Sequence, residues 1–209
     1  MRALVALLLL LALAGCGGDS EEAAAPETVT VTVTQTETVE PEPAETQPEE
    51  PAADCSTAGV RLTLPEQDLP AEVAQVRRRV FDAAVACDYE TLEQIALEEG
   101  EGFTFSYGAG PEDSAAAHWH ELEESGAEAP MKTLATLLTL PHTRNESGSY
   151  AWPSAYSESP TDADWQALAD AGVYPQEQLD EMREAGAGYL GYRTAITADG
   201  DWQFFVAGD

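Results

Sequence analysis

The C-terminal part of the chain reads Tyr189-Leu-Gly-Tyr-Arg-Thr-Ala-Ile-Thr-Ala-Asp-Gly-Asp-Trp-Gln-Phe-Phe-Val-Ala207. Asp199-Gly200 lies between two runs rich in β-branched and aromatic residues, which predicts a β-hairpin with a two-residue turn of the primed type. In that register one face pairs Thr197 with Trp202, Ala195 with Phe204 and Arg193 with Val206, and the other face pairs Ile196 with Gln203 and Thr194 with Phe205. Both faces carry large apolar side chains, so we expect the hairpin to be covered on both sides or to line a cavity.

Helical patterns precede this hairpin. Apolar residues recur at spacings of three and four between Leu69 and Cys87, and Asp88 predicts the cap of a short second helix that ends at Leu97. We also predict strands over residues 103–107 and 149–152, and helices over residues 111–126 and 130–140, after Thr161 and after Pro175. The predicted fold class is therefore α+β, with N-terminal helices packed on a small antiparallel sheet that ends in the C-terminal hairpin.

One local pattern resembles a known family. In Val80-Phe-Asp-Ala-Ala-Val-Ala-Cys-Asp-Tyr-Glu-Thr-Leu92 a long helix ends at an acid–aromatic step into a second short helix, and a strand follows. Over residues 70–107 this arrangement resembles the α+β cone of NTF2-like domains. The resemblance implies a curved sheet whose inner face forms a pocket, used for catalysis or for binding. The chain departs from that family over residues 156–188, which read as helical where the family shows more strands.

The N-terminus has the pattern of a signal peptide. Met1-Arg2 is followed by twelve apolar residues, Ala3 to Ala14. They would span about 18 Å as a helix, whereas a bilayer core needs about 20 residues. Residues 1–15 are therefore predicted to be a signal peptide rather than a transmembrane helix.

The end of this segment, Leu13-Ala14-Gly15-Cys16, resembles the lipobox of bacterial lipoproteins. The resemblance implies cleavage before Cys16, a diacylglycerol thioether on its sulfur and, in many lineages, a fatty acyl group such as palmitate on the new α-amine. Two or three acyl chains would hold the protein in the cell membrane, on its extracytoplasmic face. The alternative is an ordinary secretory signal with a chance cysteine.

The composition changes sharply after the signal peptide. Residues 17–54 contain eleven acidic residues, no Lys or Arg, and a Thr/Val alternation over residues 28–34. A Pro/Glu/Thr tract of this kind cannot bury enough apolar surface to offset chain entropy. Residues 16–54 are therefore predicted to be a disordered stalk, either bare or carrying O-linked sugar, and residues 55–209 to be a single globular α+β domain.

The charge of the chain excludes some partners. It has 39 Asp and Glu against 9 Lys and Arg, a net charge of −30. Nucleic acid is excluded as a partner because phosphate binding needs a basic patch, and anionic lipid cannot be bound through charge. The expected partners are the bilayer, through acylated Cys16, and a small molecule or a protein of the cell envelope.

Two cysteines remain once Cys16 is assigned to the lipid. Cys55 opens the domain and Cys87 ends the first predicted helix, and an exported domain meets an oxidising environment. The residues between them can run back along the helix, so a disulfide is sterically feasible. The alternative is two buried free thiols, and we favour the disulfide.

No metal site or cofactor is predicted. His118-Trp119-His120 places two imidazoles about 160° apart on a helix with only Trp119 on the apolar side, and the only other histidine is His142. Asp199-Gly200-Asp201 resembles a fragment of a calcium loop, but a hairpin turn explains it. Arg77, Arg78 and Arg79 are expected to form a solvated face paired with neighbouring acids.

Arg193 is the polar residue of most interest, because the hairpin register places it beside Trp202 and Phe204, where the three could form a pocket. A buried Arg needs a partner. One hypothesis is a pocket cation that receives a ligand carboxylate. The other, which the sequence favours, is an internal ion pair with one of the 28 acidic residues of the domain.

Three functional hypotheses remain open. The leading one is an exported lipoprotein whose domain binds a small ligand or an envelope partner without catalysis. The others are a hydrolase or isomerase with an NTF2-like pocket, and a structural spacer. No nucleophile elbow or phosphate-binding Gly-rich loop is present, so the sequence leans against an enzyme without deciding the question.

The lipid anchor can be tested directly. Mass spectrometry of the native protein should show an N-terminal peptide that begins at acylated Cys16, and Cys16→Ala should release the domain or leave an uncleaved precursor. Recovery of a mature Cys16→Ala chain in the detergent phase would contradict the lipobox assignment.

Overall fold

The computed structural model describes residues 55–98, 102–109 and 113–208. These residues form an α+β domain of helices and a four-stranded antiparallel sheet that ends in a C-terminal hairpin, which confirms the predicted fold class. The predicted signal peptide, the predicted lipidation site Cys16 and the predicted stalk lie outside the described residues. The more specific resemblance to NTF2-like domains stays a prediction.

The helices begin and end at the local signals that the sequence provides. Asp88 accepts a hydrogen bond from the Thr91 amide at the start of the second helix, and Thr161 and Asp164 form a reciprocal capping box at the fifth. None of the helices in the described part of the chain is long and apolar enough to cross a membrane. The helices are α1 (Ala71–Ala86), α2 (Tyr89–Leu97), α3 (Ala115–Ser125), α4 (Pro130–Thr139), α5 (Asp162–Ala171) and α6 (Gln176–Ala185).

Two predicted elements are shorter than expected. Helix α3 begins after Ser114, later in the chain than predicted, and the Ser114 hydroxyl accepts a hydrogen bond from the Ala117 amide. The strand expected over residues 103–107 is reduced to one parallel bridge between Thr104 and Phe204. Thr104 donates its amide to the Gln203 carbonyl and accepts from the Phe205 amide. The segment therefore touches the sheet at one point and does not extend it.

The sheet contains β1 (Thr143–Arg144), β2 (Tyr150–Trp152), β3 (Arg193–Ile196) and β4 (Trp202–Val206), in that spatial order. The two-residue strand β1 was not predicted. Every residue of β3 is buried, so this strand is covered on both faces, as expected for the hairpin, whereas Gln203 and Phe204 of β4 are half-buried. Helices α1 and α4 pack against each other and against β3.

The predicted hairpin register is correct at one end and wrong at the other. Arg193, Thr194 and Ala195 pair as expected, but Ile196 pairs with Trp202, and Gln203 is the extra residue of a β-bulge. The turn is a three-residue loop closed by Thr197 and Asp201, with Gly200 at φ 98°, rather than a two-residue turn. The longer loop shifts the pairing by one residue and the bulge compensates for the shift.

The bulge decides which way Trp202 points. Because of the bulge, the Trp202 side chain lies with Ile196 and Phe205 on the face that packs against the helices. It does not lie on the face that carries Arg193 and Phe204. On the helix-packed face, Trp202 lies 4.5 Å from Phe103 and 5.8 Å from Trp119, measured between ring centroids. The expectation that Trp202 shares a face with Arg193 is therefore wrong.

The predicted arginine face is correct only in part. Arg78 and Arg79 lie near Glu66 and Glu98, at 3.7 and 2.5 Å. Arg77 is instead buried, and its guanidinium donates to the carbonyls of Leu138 and Pro65 at 2.6–3.1 Å. The Leu138 carbonyl is at the negative end of α4, so a cation is favoured there. Burial, with the neighbouring charge of Arg78, lowers the pKa of Arg77 to about 10, which leaves it charged at neutral pH.

A disulfide joins Cys55 to Cys87, with 5.9 Å between their Cα atoms. Both residues are buried, and Cys87 ends α1 in the left-handed conformation. The Thr57 hydroxyl donates to the Val85 carbonyl, so the start of the domain is held against the end of α1 by a second contact. In the chain-entropy model, closing a loop of this length stabilises the fold by about 3–4 kcal/mol.

Residues 16–209, produced without the N-terminal segment and carrying Cys16→Ser, contain only these two cysteines. Purified without reductant and then unfolded, this chain should show no free thiol in a chromogenic assay, and reduction should release both. Reduction should also lower the free energy of unfolding by about 3–4 kcal/mol in a denaturant titration. Two free thiols before reduction would disprove the disulfide.

Candidate functional site

An open cleft of about 630 Å³ lies beside the sheet, and Arg193 is part of its wall. Three other segments complete the wall: the turn 145–147 between β1 and β2, residues 156–158 at the end of the 3-10 turn Ser154–Tyr156, and the loop 186–190 between α6 and β3. We refer to it as the Arg193 cleft. Its volume falls in the range of about 300–1,000 Å³ that is usual for small-molecule sites.

Local hydrogen bonds shape the turn 145–147. The Asn145 side-chain oxygen accepts from the Ser149 amide and the Ser147 hydroxyl, each at 2.8 Å. The Asn145 carbonyl accepts from the Gly148 amide at 2.9 Å, so the side chain and the backbone of Asn145 both hold the turn. The turn presents Glu146 to solvent at the edge of the cleft.

The segment 156–158 is held by its connection to α5. The Ser154 amide donates to the Pro141 carbonyl at 2.7 Å, and its hydroxyl donates to Asp164 at 2.5 Å. Burial alone would raise the pKa of Asp164, but the hydrogen bonds from Ser154 and Thr161 outweigh it and lower that pKa. The Asp164 carboxylate therefore stays ionised and joins the cap of α5 to the chain that leads into the cleft.

Three tyrosines, Tyr174, Tyr189 and Tyr192, pack together beside Arg193, and of these only Tyr189 lines the cleft. The Tyr189 hydroxyl donates to the Tyr192 carbonyl at 2.8 Å, and the Tyr192 amide donates to the Tyr174 hydroxyl at 2.7 Å. Burial raises the pKa of Tyr189 and of Tyr174, so both hydroxyls stay protonated. Tyr192 donates to the Glu128 carboxylate, and burial together with that contact raises its pKa.

Gly191 is required by the same packing. A Cβ atom at this position would lie 2.5 Å from the Tyr189 hydroxyl oxygen and 2.6 Å from a Tyr174 ring carbon. Real Cβ atoms do not approach other atoms so closely, so the two rings would have to move. The Gly191 carbonyl accepts from Arg193, and the packing of the tyrosines therefore fixes one partner of the cation.

Arg193 is only 5% exposed. Its guanidinium donates to the carbonyls of Gly191 and Gly208, at 3.1 and 2.6 Å, and to the Tyr107 hydroxyl at 2.8 Å. Its central carbon lies 5.1 Å from the centre of the Tyr156 ring, a cation–π contact. Its Nε atom is buried and has no hydrogen-bond partner among the described residues.

The expected internal ion pair is not formed within the described residues. No carboxylate there lies within 4.0 Å of the Arg193 guanidinium, and the partners of Arg193 are two backbone carbonyls and a phenol. The physical reason is the position of the strand: Arg193 is on a covered face of β3, whereas none of the described Asp and Glu residues is buried. A permanently charged group is thus buried without a described counter-ion.

The other two predicted pocket residues take different places. Phe204 lies on the same face as Arg193 and packs edge-on against Tyr156, with 6.2 Å between the ring centroids. Trp202 is in the core on the opposite face, where its indole nitrogen donates to the Thr194 hydroxyl at 2.7 Å. Of the three, only Arg193 lines the cleft.

Two carboxylates at the cleft were not singled out from the sequence. Glu146 and Glu158 line it, and both are exposed. Neither forms an ion pair or a hydrogen bond with a described residue. No local signal separates them from the other acidic residues of the domain. Gly186 and Gly188 were the one hint, because closely spaced glycines mark a loop, and both have a positive φ in the structure.

The histidines lie elsewhere. Trp119 alone of the His118–His120 run is buried, as predicted, and His120 is exposed, 3.4 Å from Glu124. His142 packs against Tyr150 and Trp152, and burial, with the charges of Arg77 and Arg144, lowers its pKa. Within the described ranges, no three His, Cys, Asp or Glu side chains converge so as to hold a metal ion.

The chain was also compared with known proteins. No family model matches the sequence, and no curated protein and no solved structure matches it either.

The packing at Gly191 gives a prediction. Gly191→Ala should lower the melting temperature by about 3–10 °C, because overpacking of this kind costs about 1–3 kcal/mol in a domain of this size. Gly108→Ala is the matched control, since a Cβ there meets no atom within 4 Å. Equal melting temperatures of the two variants would contradict the packing of Tyr174 and Tyr189 around Gly191.

Proposed function

We propose that the protein is an exported lipoprotein, anchored through acylated Cys16 to the extracytoplasmic face of the cell membrane, whose domain binds a small ligand in the Arg193 cleft. One observation carries the binding proposal: a 5%-exposed arginine lines an open cleft, and no described carboxylate neutralises it. The signal-peptide pattern and Leu13-Ala14-Gly15-Cys16 support the anchoring.

The energetics of Arg193 support a ligand that carries a carboxylate. A buried cation without a counter-ion is costly, and hydrogen bonds to two carbonyls and a phenol offset only part of that cost. Three of the five N–H groups of the guanidinium are used. Tyr107, which supplies one of the acceptors, is 57% exposed, so a ligand oxygen could replace its hydroxyl. Guanidinium and carboxylate match in shape and charge.

The surface of the domain gives less support to a protein partner. Among the described residues the large apolar side chains that are well exposed are Leu97 and Tyr107, and single residues of this kind do not form an apolar docking patch. The described lining of the cleft also contains no histidine that could serve as a base. A small-molecule binding domain is therefore the function that the geometry supports best.

Binding can be tested with thermal shifts of the mature chain carrying Cys16→Ser. The panel is acetate, succinate, benzoate and glutamate, each compared with chloride at equal ionic strength. At least one carboxylate should raise the melting temperature with concentration, since a ligand at 100 times its Kd stabilises the folded state by about 2.7 kcal/mol.

The shift should disappear in Arg193→Lys, which keeps the charge but loses the planar fork. It should persist in Arg183→Lys, because Arg183 is an exposed partner of Asp162 outside the cleft. Circular dichroism should show that both variants are folded. The proposal fails if no carboxylate exceeds chloride, or if Arg193→Lys responds as the unaltered chain does.

A further inference from the structure

The Arg193 cleft has charges of both signs. Arg193 is buried in the wall, while Glu146 and Glu158 are exposed along the same cleft. They come from two different segments, the turn between β1 and β2 and the stretch after the 3-10 turn. Any ligand carboxylate that reaches Arg193 therefore shares the cleft with two further carboxylates.

The two glutamates also mark where the cleft continues. A second depression, of about 360 Å³, shares Glu146 and Glu158 with the first and extends to Arg144 and Ser159. The glutamates thus lie at the junction of the two depressions. No described residue forms an ion pair or a hydrogen bond with either carboxylate, so both are open to a ligand.

A purely anionic ligand fits this arrangement poorly. The Glu146 and Glu158 carboxylates would repel it at the junction, and the folded part of the chain is acidic as a whole. A ligand that also carries a cation would turn this repulsion into attraction. Its carboxylate would meet the guanidinium, and its ammonium group would meet one or both glutamates.

From this juxtaposition we propose that the ligand is zwitterionic, with a carboxylate for Arg193 and an amine for Glu146 and Glu158, as in an amino acid or a short peptide. This inference rests on the proposed binding function and names its substrate class. Arg193 lines the cleft with only three of its five N–H groups in hydrogen bonds, and this is the observation that points to a ligand carboxylate. The unpaired glutamates supply the second contact.

The test uses matched ligands and the mature chain carrying Cys16→Ser. Isothermal titration at low ionic strength compares ω-amino acids, from glycine to 8-aminooctanoate, with the carboxylate and the amine of the same chain length. At the chain length that gives the tightest binding, the amino acid should bind at least tenfold tighter than the carboxylate of the same length. The amine alone should bind no tighter than the carboxylate.

Variants identify the residues that recognise the amine. In Glu146→Gln/Glu158→Gln the preference for the amino acid over the carboxylate should fall to within about twofold. The control is Asp82→Asn/Glu177→Gln, which changes the net charge equally at exposed positions of α1 and α6 that do not line the cleft. This control should keep the preference for the amino acid, and Arg193→Lys should weaken the binding of both the amino acid and the carboxylate.

The possible failures are distinguishable. If carboxylates and amino acids bind equally in the unaltered chain and in both double variants, the binding function stands and the zwitterion is wrong. If the control double variant loses the preference as well, the preference depends only on the net charge of the protein, and the inference is again overturned. If no ligand of either class binds, the zwitterion and the proposed function fail together.

Discussion

The burial of β3 on both faces is the constraint on which the rest of the domain depends. All four residues of the strand are buried, with α1 and α4 packed on one side and Tyr156 covering the other. A strand in this position normally carries apolar residues alone. Because Arg193 is part of β3, its positive charge is buried. The Gly191 and Gly208 carbonyls and the Tyr107 hydroxyl accept hydrogen bonds from its guanidinium.

The two buried arginines differ in their hydrogen bonds and in their surroundings, so that Arg77 is structural and Arg193 belongs to the candidate site. Arg77 donates from all three of its nitrogens to carbonyls and stacks over Trp152 inside the packed core. It joins α1 to the end of α4 and has no open nitrogen. Arg193 has an unpartnered Nε and lies at an open cleft. The same residue type thus serves packing in one place and is proposed to serve binding in the other.

The acidity of the chain gives the proposed ligand site its character. With 39 acidic residues in the sequence, an arginine without a described carboxylate partner is unexpected on composition alone. None of the described Asp and Glu residues is buried, and together they repel anions. Glu146 and Glu158 are exposed at the cleft.

The sequence by itself determined the features that depend on neighbours along the chain. Helix periodicity, the caps at Asp88 and Thr161 and the C-terminal hairpin are local, so their residues could be identified without the fold. Cys55 and Cys87 could be paired because only two cysteines remained. Only the tertiary structure decided the bulge at Gln203, the face of Trp202, the burial of Arg77 and the partners of Arg193. Those features depend on groups that lie far apart in sequence, such as Thr104 beside β4 and Leu138 beside α1, and local propensity carries no information about which distant groups meet.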